Sequence, residues 1–237
     1  IKEAKPVVSR AVLLSSAGVL LTAGITGIFI HLVLKLPLLE SFLVASVIGS
    51  TDAASVFNIL RSKNLNLKEN TASLLEMESG SNDPVSYMLT VILTAVLTGQ
   101  SVNIGSMLFF QVFFGIGCGV LFGKSTAVVL NQVDFDIAQG KTILVFAAAI
   151  LAYTVPSMIG GNGYLSVYLC GIILGNSYLP HKRDMVLFFD VLTGVAQMMI
   201  FFLLGLLVTP SELPQVILPS LVIMIFLTFV GRPVSVA

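Results

Sequence analysis

Two aspartates of this chain, Asp52 and Asp83, stand inside long apolar stretches beside residues that interrupt helices. Asp52 belongs to the run Gly-Ser-Thr-Asp-Ala-Ala-Ser at 49–55, whose small and hydroxyl side chains allow a helix to break. Asp83 is followed by Pro84, which has no N–H and leaves the carbonyl group of Gly80 without its helical partner. Carboxylates, hydroxyls and free carbonyls are oxygen donors, and together they suit a hard monovalent cation.

The residues just before Asp83 extend this set of donors. Ser79 lies four residues earlier, so Ser79 and Asp83 share one face of a helix, and Glu76 lies on the same face. Asn82 forms hydrogen bonds but cannot ionise. The pattern therefore predicts one titrating carboxyl group, that of Asp83, next to a neutral amide.

Burial disfavours a bare carboxylate, so a proton and a dehydrated cation compete for the carboxyl group of Asp83. If this site faces each side of a membrane in turn and its empty charged form crosses poorly, cation and proton must exchange. No second energy source is needed. The run 119–125 superficially resembles a phosphate loop but has too few residues between its glycines. We expect a secondary transporter and not an enzyme, with no cofactor and no ATP site.

The composition places these acids in a lipid bilayer. Of the 237 residues, 56% are hydrophobic and 10% are charged, whereas a soluble domain has about 25% charged residues. The 12 basic and 12 acidic residues cancel, so nucleic acid is not an expected partner. Cys118 and Cys170 fit neither a disulfide framework nor a metal site. The expected fold class is an all-α polytopic membrane protein.

Eight stretches are apolar and close to the length of about 20 residues that crosses a bilayer core as a helix. We predict these spans at 11–34, 38–60, 71–98, 104–130, 142–159, 164–179, 186–208 and 213–230, in a single transmembrane domain over residues 1–237. At a rise of 1.5 Å per residue, Asp52 and Asp83 then lie about 15–18 Å deep, near the midplane. Because the chain begins at Ile1 without a signal peptide, we expect it to be the middle of a longer membrane protein.

The basic residues support this count and orient the chain. With residue 1 in the cytoplasm, the outer side receives only Lys35, while Arg232 falls at the end of the last span. The cytoplasmic side receives Lys2, Lys5, Arg10, Arg61, Lys63, Lys68, Lys124, Lys141, Lys182 and Arg183. This bias is the one that the positive-inside rule describes.

Arg232 needs a partner, because an unpaired arginine in a membrane is costly. Glu78 lies one turn before Asn82, off the face of Asp83. We expect Glu78 and Arg232 to form a buried ion pair that holds the third and eighth spans together. Breaking such a pair is strongly destabilising.

Three runs of the chain resemble the signature stretches of the sodium/hydrogen exchanger family of monovalent cation/proton antiporters. They are Ser-Thr-Asp-Ala-Ala at 50–54, Glu-Ser-Gly-Ser-Asn-Asp-Pro at 78–84 and Arg-Pro-Val-Ser-Val at 232–236. The chain is most similar to the bacterial potassium/proton antiporters associated with cell volume regulation. The resemblance implies a 13-helix inverted-repeat antiporter fold with a helix broken around Thr51-Asp52, of which this chain is a fragment that is incomplete at both ends.

The resemblance also implies roles for the site residues. Asp83 would bind the cation or the proton, and Thr51, Asp52 and Ser79 would line the cation site with it, Thr51 mainly through its backbone. Asn82 before Asp83 is typical of the electroneutral branch, which exchanges one proton for one cation.

Further implications concern the assembly and its surroundings. Glu78 and Arg232 would be the ion bridge of the family, in agreement with the pairing argued above. The transported ions would be K⁺ or Na⁺ and H⁺, and the protein would be a homodimer in the bacterial inner membrane, with a part in pH homeostasis.

Two other functions could also use two acids in a membrane. An intramembrane aspartyl protease has Tyr-Asp and Gly-x-Gly-Asp motifs, and neither occurs in this sequence. A cation channel would have Asp52 and Asp83 lining an open pore, but no stretch resembles a selectivity filter. Both stay as alternatives to cation/proton exchange.

Overall fold

The computed structural model describes residues 7–52, 56, 71–100, 103–133, 138–179 and 182–236, and within these ranges the chain is almost entirely helical. Eight helices lie in the described ranges. They are α1 Val8–Leu34, α2 Leu38–Ile48, α3 Thr71–Leu97, α4 Ile104–Gln132, α5 Ala138–Met158, α6 Gly163–Asn176, α7 Lys182–Leu207 and α8 Leu213–Val236. One turn of π-helix interrupts α1 at Leu14–Gly18 and another interrupts α8 at Leu227–Gly231.

Each predicted span overlaps one of these helices, and the ends differ for physical reasons. Helices α5 and α7 begin four residues before the predicted spans 142–159 and 186–208, because their first turns carry polar residues that an apolar stretch excludes. Helix α6 ends before the span 164–179 does, because the backbone turns extended at Ser177. Residues 53–55 and 57–60 of the second predicted span lie outside the described residues.

Five helices are long and apolar enough to cross a membrane by length and composition, counted over the described residues. These are α1, α4, α7, α8 and the part of α5 at Gln139–Met158. Helices α2 and α6 are shorter apolar helices. Helix α3 has 27 residues, about 40 Å at 1.5 Å per residue, and it carries the acidic and hydroxyl residues of the predicted site.

The chain divides into two compact units. The first comprises Ile1–Met107 and Pro214–Ala237. Within it, α1 packs on α2, α2 packs on α3, and the end of α8 packs on α1. Its apolar core includes Ile30 and Ile223, and the rings of Phe29 and Phe226 stack with centroids 3.7 Å apart. This unit contains all the predicted site residues.

The second unit, Leu108–Leu213, comprises most of α4 together with α5, α6 and α7. Its core includes Leu130, Val145 and Cys170. A cavity of about 320 Å³ lies among α5, α6 and α7, and apolar side chains form most of its lining. None of the predicted site residues lines this cavity.

Three glycines at every fourth position bring α4 close to α6. A Cβ atom on Gly119 would lie 2.6 Å from the carbonyl oxygen of Ser166, and one on Gly123 would lie 3.0 Å from the Cβ atom of Ile173. Gly115 faces Leu165 at a similar distance, 3.1 Å. These three glycines therefore allow α4 and α6 to pack in close contact, as small residues in membrane helices do.

We expect Gly119→Ala to lower the free energy of unfolding by about 1–3 kcal/mol, because the added methyl group overpacks the contact between α4 and α6. Gly117→Ala is the matched control, since a Cβ atom on Gly117 meets nothing within 4 Å. That variant should be neutral or more stable by up to about 1 kcal/mol, because alanine favours a helix more than glycine does. Unfolding in detergent measures both. Equal losses in the two variants would contradict the contact.

Candidate functional site

Helix α2 ends at Ile48, and the chain leaves helical geometry over residues 49–52. Val56 is helical again, and its N–H donates a hydrogen bond to the carbonyl oxygen of Asp52 over 3.2 Å. The predicted break around Thr51-Asp52 is thus present in the structure. The helix breaks here because the hydroxyl groups of Ser50 and Thr51 bond to α3, and the carbonyl group of Gly49 bonds to Arg232 of α8, instead of continuing the helical hydrogen bonds.

Helix α3 passes the break and stays helical through Pro84. The residues of α3 that face the break are buried: Ser79 is 1% exposed and Asn82 is 0% exposed. Asp83, the next residue, is exposed at the edge of the contact between α2 and α3. Asn82, and not Asp83, therefore turns into the contact between the helices.

Three side chains link the break to α3 around Asp83. The hydroxyl group of Ser50 donates to Oδ1 of Asp83 and also lies 3.0 Å from Oδ1 of Asn82. The hydroxyl group of Thr51 donates to Oγ of Ser79 over 3.1 Å. The amide nitrogen of Asn82 donates to the hydroxyl oxygen of Thr51. Asn82 thus holds the non-helical backbone of the break in place through the side chains of Ser50 and Thr51.

Ser50 is a site residue to which the sequence analysis assigns no role. Its hydroxyl group contacts the carboxylate of Asp83 directly. The available signal was its position, a hydroxyl residue directly before Thr51 at a predicted helix break. Sequence spacing does not show that it faces Asp83, because that depends on how α2 and α3 align.

Glu78 and Arg232 form an ion pair, with Nη1 of Arg232 3.2 Å from Oε1 of Glu78. The other guanidinium nitrogen, Nη2, donates to the carbonyl oxygen of Gly49 over 2.7 Å. Glu78 also lies 3.4 Å from the amide nitrogen of Asn82. Arg232 therefore ties together α8, α3 and the end of α2, and it occupies the carbonyl group that the break in α2 leaves free.

The charges around Asp83 favour a cation. The carboxyl groups of Asp52 and Glu78 are close enough to act electrostatically on Asp83. Arg232 pairs with Glu78, whereas Asp83 accepts a hydrogen bond from Ser50. Asp52 is exposed like Asp83. The oxygen donors within reach are the carboxylate of Asp83 and the hydroxyls of Ser50, Thr51 and Ser79, which suit a hard cation such as Na⁺ or K⁺.

A comparison with known protein families identifies the class of protein that carries this arrangement. The whole chain, residues 1–237, matches the profile of the family described as sodium/hydrogen exchanger, transmembrane. The chain belongs to the sodium/hydrogen exchanger family. The family and the apolar helices α1, α4, α5, α7 and α8 together make it a multi-pass integral membrane protein, so the predicted all-α polytopic fold class is confirmed.

Curated members of the exchanger family are similar over nearly the whole chain. A K(+)/H(+) antiporter NhaP from Alkalimonas amylolytica is 36% identical over 229 residues, which is 95% of this chain and 40% of the relative. A K(+)/H(+) antiporter NhaP2 from Shewanella oneidensis is 36% identical over 230 residues, with the same shares covered. A probable Na(+)/H(+) antiporter 2 from Methanocaldococcus jannaschii is 28% identical over 226 residues.

A solved exchanger structure has the same fold. The sodium proton antiporter MjNhaP1 from Methanocaldococcus jannaschii at pH 8 matches with a TM-score of 0.86 and 25% identity, over 98% of this chain and 58% of that one. The chain thus spans 40% of the length of the K(+)/H(+) antiporters above. The prediction that it is a fragment of an antiporter fold is confirmed.

Proposed function

We propose that this protein exchanges a monovalent cation, K⁺ or Na⁺, for protons across the bacterial inner membrane by alternating access. The observation that carries the proposal is the carboxylate of Asp83, to which Ser50 donates a hydrogen bond at a helix break that also holds Asp52. Broken helices near the membrane midplane are how many secondary transporters form cation sites. K⁺ is the first candidate, because the relatives at 36% identity are named K(+)/H(+) antiporters.

The chemistry follows from one carboxyl group with two alternative occupants. In the charged form, Asp83 binds the cation together with oxygen atoms of Ser50, Thr51 and Ser79. In the protonated form, Asp83 has no net charge and releases the cation. The cation-bound form and the protonated form of the site both move between the two sides of the membrane. The charged form without a cation does so poorly.

The stoichiometry and the assembly are part of the same proposal. Asn82 is neutral and buried, so we propose one titrating carboxyl group per crossing and an electroneutral exchange of one proton for one cation. We further propose a homodimer that needs no cofactor, with the residue 1 end in the cytoplasm. The basic residues support the orientation, and the resemblance supports the dimer. The comparisons do not favour the protease or channel alternatives.

The test is a pH-sensitive dye in everted membrane vesicles from cells that express the complete gene. After an acid-inside pH gradient is formed, K⁺, Na⁺ and Li⁺ are added in turn. Exchange predicts immediate recovery of the dye signal with at least one of the three ions, and the recovery should persist when the membrane potential is clamped at zero. No recovery with any alkali ion would reject the proposed function.

Ser50→Ala is expected to raise the KM for the cation about tenfold with little change in the maximal rate. A hydrogen bond to a charged group contributes about 1.5–3 kcal/mol, and tenfold in affinity is about 1.4 kcal/mol. The variant leaves the carboxylate of Asp83 unpositioned, so the cation binds less well. Initial exchange rates over a range of cation concentrations measure the effect.

Ser125→Ala is the matched control for Ser50→Ala. Ser125 is a serine of α4 whose hydroxyl group donates to the carbonyl oxygen of Leu121, and it belongs to the unit that does not contain the site. Its loss should leave the KM unchanged. If Ser50→Ala has the KM of the parent protein, Ser50 does not position Asp83.

A further inference from the structure

A row of hydroxyl residues continues along α3 from the site towards the end of the helix. Ser86, Thr90 and Thr94 follow Asn82 at every fourth position of α3, with Thr98 just past its end, so successive side chains are neighbours on the helix surface, about 6 Å apart along the helix axis. By the predicted orientation, Thr98 is at the outer side of the membrane. The row therefore leads from the outer end of α3 towards Asp83.

The three threonines donate their protons to the helix itself. Oγ1 of Thr90 donates to the carbonyl oxygen of Ser86 over 2.8 Å, and Oγ1 of Thr94 donates to that of Thr90 over 2.7 Å. Oγ1 of Thr98 donates in the same way to the carbonyl oxygen of Thr94 over 2.9 Å. With the protons used internally, the oxygen lone pairs of these hydroxyls are available to accept from water or to contact a cation.

Ser86 differs from the threonines. Its side chain is buried, with 6% exposed, and its hydroxyl oxygen has no hydrogen-bond partner among the described residues. An unsatisfied buried polar group is costly, and such groups normally bind a buried water. Ser86 lies one turn from Asn82, so a water or an ion at this hydroxyl group would stand next to the site.

A cavity lies over the outer part of the row. It has a volume of about 270 Å³ and is lined by Thr90, Thr94, Thr98 and Gln100, together with the apolar residues Val91, Ala95 and Met107. A water molecule occupies about 30 Å³ in the liquid, so the cavity has room for several waters or for a partly hydrated alkali ion. Among the hydroxyl residues that line it, Thr90 is the nearest in the chain to Ser86, about one helical turn away.

We propose that Ser86, Thr90, Thr94 and Thr98 form the outer half of the route by which water, protons and alkali cations reach Asp83. This proposal rests on the proposed function and adds the outer access path to it. Hydroxyl oxygens replace part of the hydration shell of the ion along the row, and Ser86 is the last contact before the carboxylate. A structural role for the row, through the 3.1 Å contact of Thr90 with Ser46 of α2, is the competing reading.

The first test is the accessibility of single cysteines to a membrane-impermeant, positively charged methanethiosulfonate reagent applied to intact cells. We expect Thr94→Cys and Ser86→Cys to react, with Ser86→Cys the slower. Val96→Cys is the matched control. Val96 lies at nearly the same depth as Thr94, on the opposite face of α3, and it is also exposed. Labelling of Cys118 and Cys170 in the parent protein is subtracted.

The second test separates a path from a structural contact. Ser86→Ala removes a hydroxyl group without a described partner, so a purely structural role predicts unchanged or higher thermal stability and unchanged exchange. The proposed path predicts retained stability with exchange slowed about tenfold, the effect of losing a contact of about 1.4 kcal/mol on the ion's way.

Three outcomes would overturn the path. They are thiol reaction no faster at Thr94→Cys and Ser86→Cys than at Val96→Cys, reaction only when the reagent reaches the cytoplasmic side in everted vesicles, and full exchange by Ser86→Ala. Labelling does not require transport, so it still reports on the path if the proposed exchange activity fails. Conversely, exchange without outer labelling would reject the path alone.

Discussion

Asp83→Asn is expected to abolish cation/proton exchange while the protein stays folded. Asparagine has the shape of aspartate but does not titrate, so it neither carries the proton nor attracts the cation. Asp83 is exposed in the described structure, and its contact with Ser50 can be kept by an amide oxygen. The folded state therefore loses little, whereas the exchange reaction loses the group that we propose binds both ions.

The dye assay in everted vesicles measures the activity of Asp83→Asn, and thermal unfolding in detergent measures its fold. Glu212→Gln is the matched control, because it makes the same change of acid to amide at an exposed position between α7 and α8. That variant should exchange like the parent protein. Exchange by Asp83→Asn at a comparable rate would show that the site is elsewhere.

Arg232→Ala is expected to cost about 3–5 kcal/mol in the free energy of unfolding, as removal of one partner from a buried ion pair does. The variant leaves Glu78, which is 8% exposed, without its cation and close to Asp83. It also removes the donor that holds the carbonyl oxygen of Gly49 at the break in α2. A loss of this size is a large part of the 5–15 kcal/mol that typically stabilises a protein.

The yield of folded protein and its unfolding in detergent measure the effect of Arg232→Ala. Arg10→Ala, which removes an exposed arginine of α1, is the control and should change neither. Glu78→Gln combined with Arg232→Ala should recover part of the loss, because no unpaired buried charge is left. A stable Arg232→Ala protein without exchange would instead assign Arg232 a direct part in transport.

Much of the helix pattern could be predicted from the sequence, because long apolar stretches in a bilayer have few alternatives to a helix. The break at Thr51-Asp52 was predictable for a related reason, since several residues there compete with the helix for hydrogen bonds. The pairing of Glu78 with Arg232 across 154 positions followed from charge alone, because an unpaired arginine in a membrane needs a partner. The second partner of Arg232, the carbonyl oxygen of Gly49, depends on the direction of the broken backbone and could not be read from spacing.

Sequence periodicity could not predict whether Asp83 or Asn82 points into the contact between the helices. Ser79 is three residues before Asn82 and four before Asp83, and both separations place side chains on nearly the same helix face. Which of the two turns into the contact depends on the rotation of α3 against α2 and α1, and the structure selects Asn82. The register of α2 against α3 likewise decides that Ser50 reaches Asp83.

Proton release from the purified protein on cation binding tests most directly whether H⁺ and an alkali ion compete for Asp83. K⁺ or Na⁺ is added to weakly buffered protein at a pH where the site is protonated, and a pH dye counts the protons that leave. We expect about one proton released per bound cation in the parent protein and none in Asp83→Asn. Cation binding without proton release, or equal release by the asparagine variant, would contradict the account.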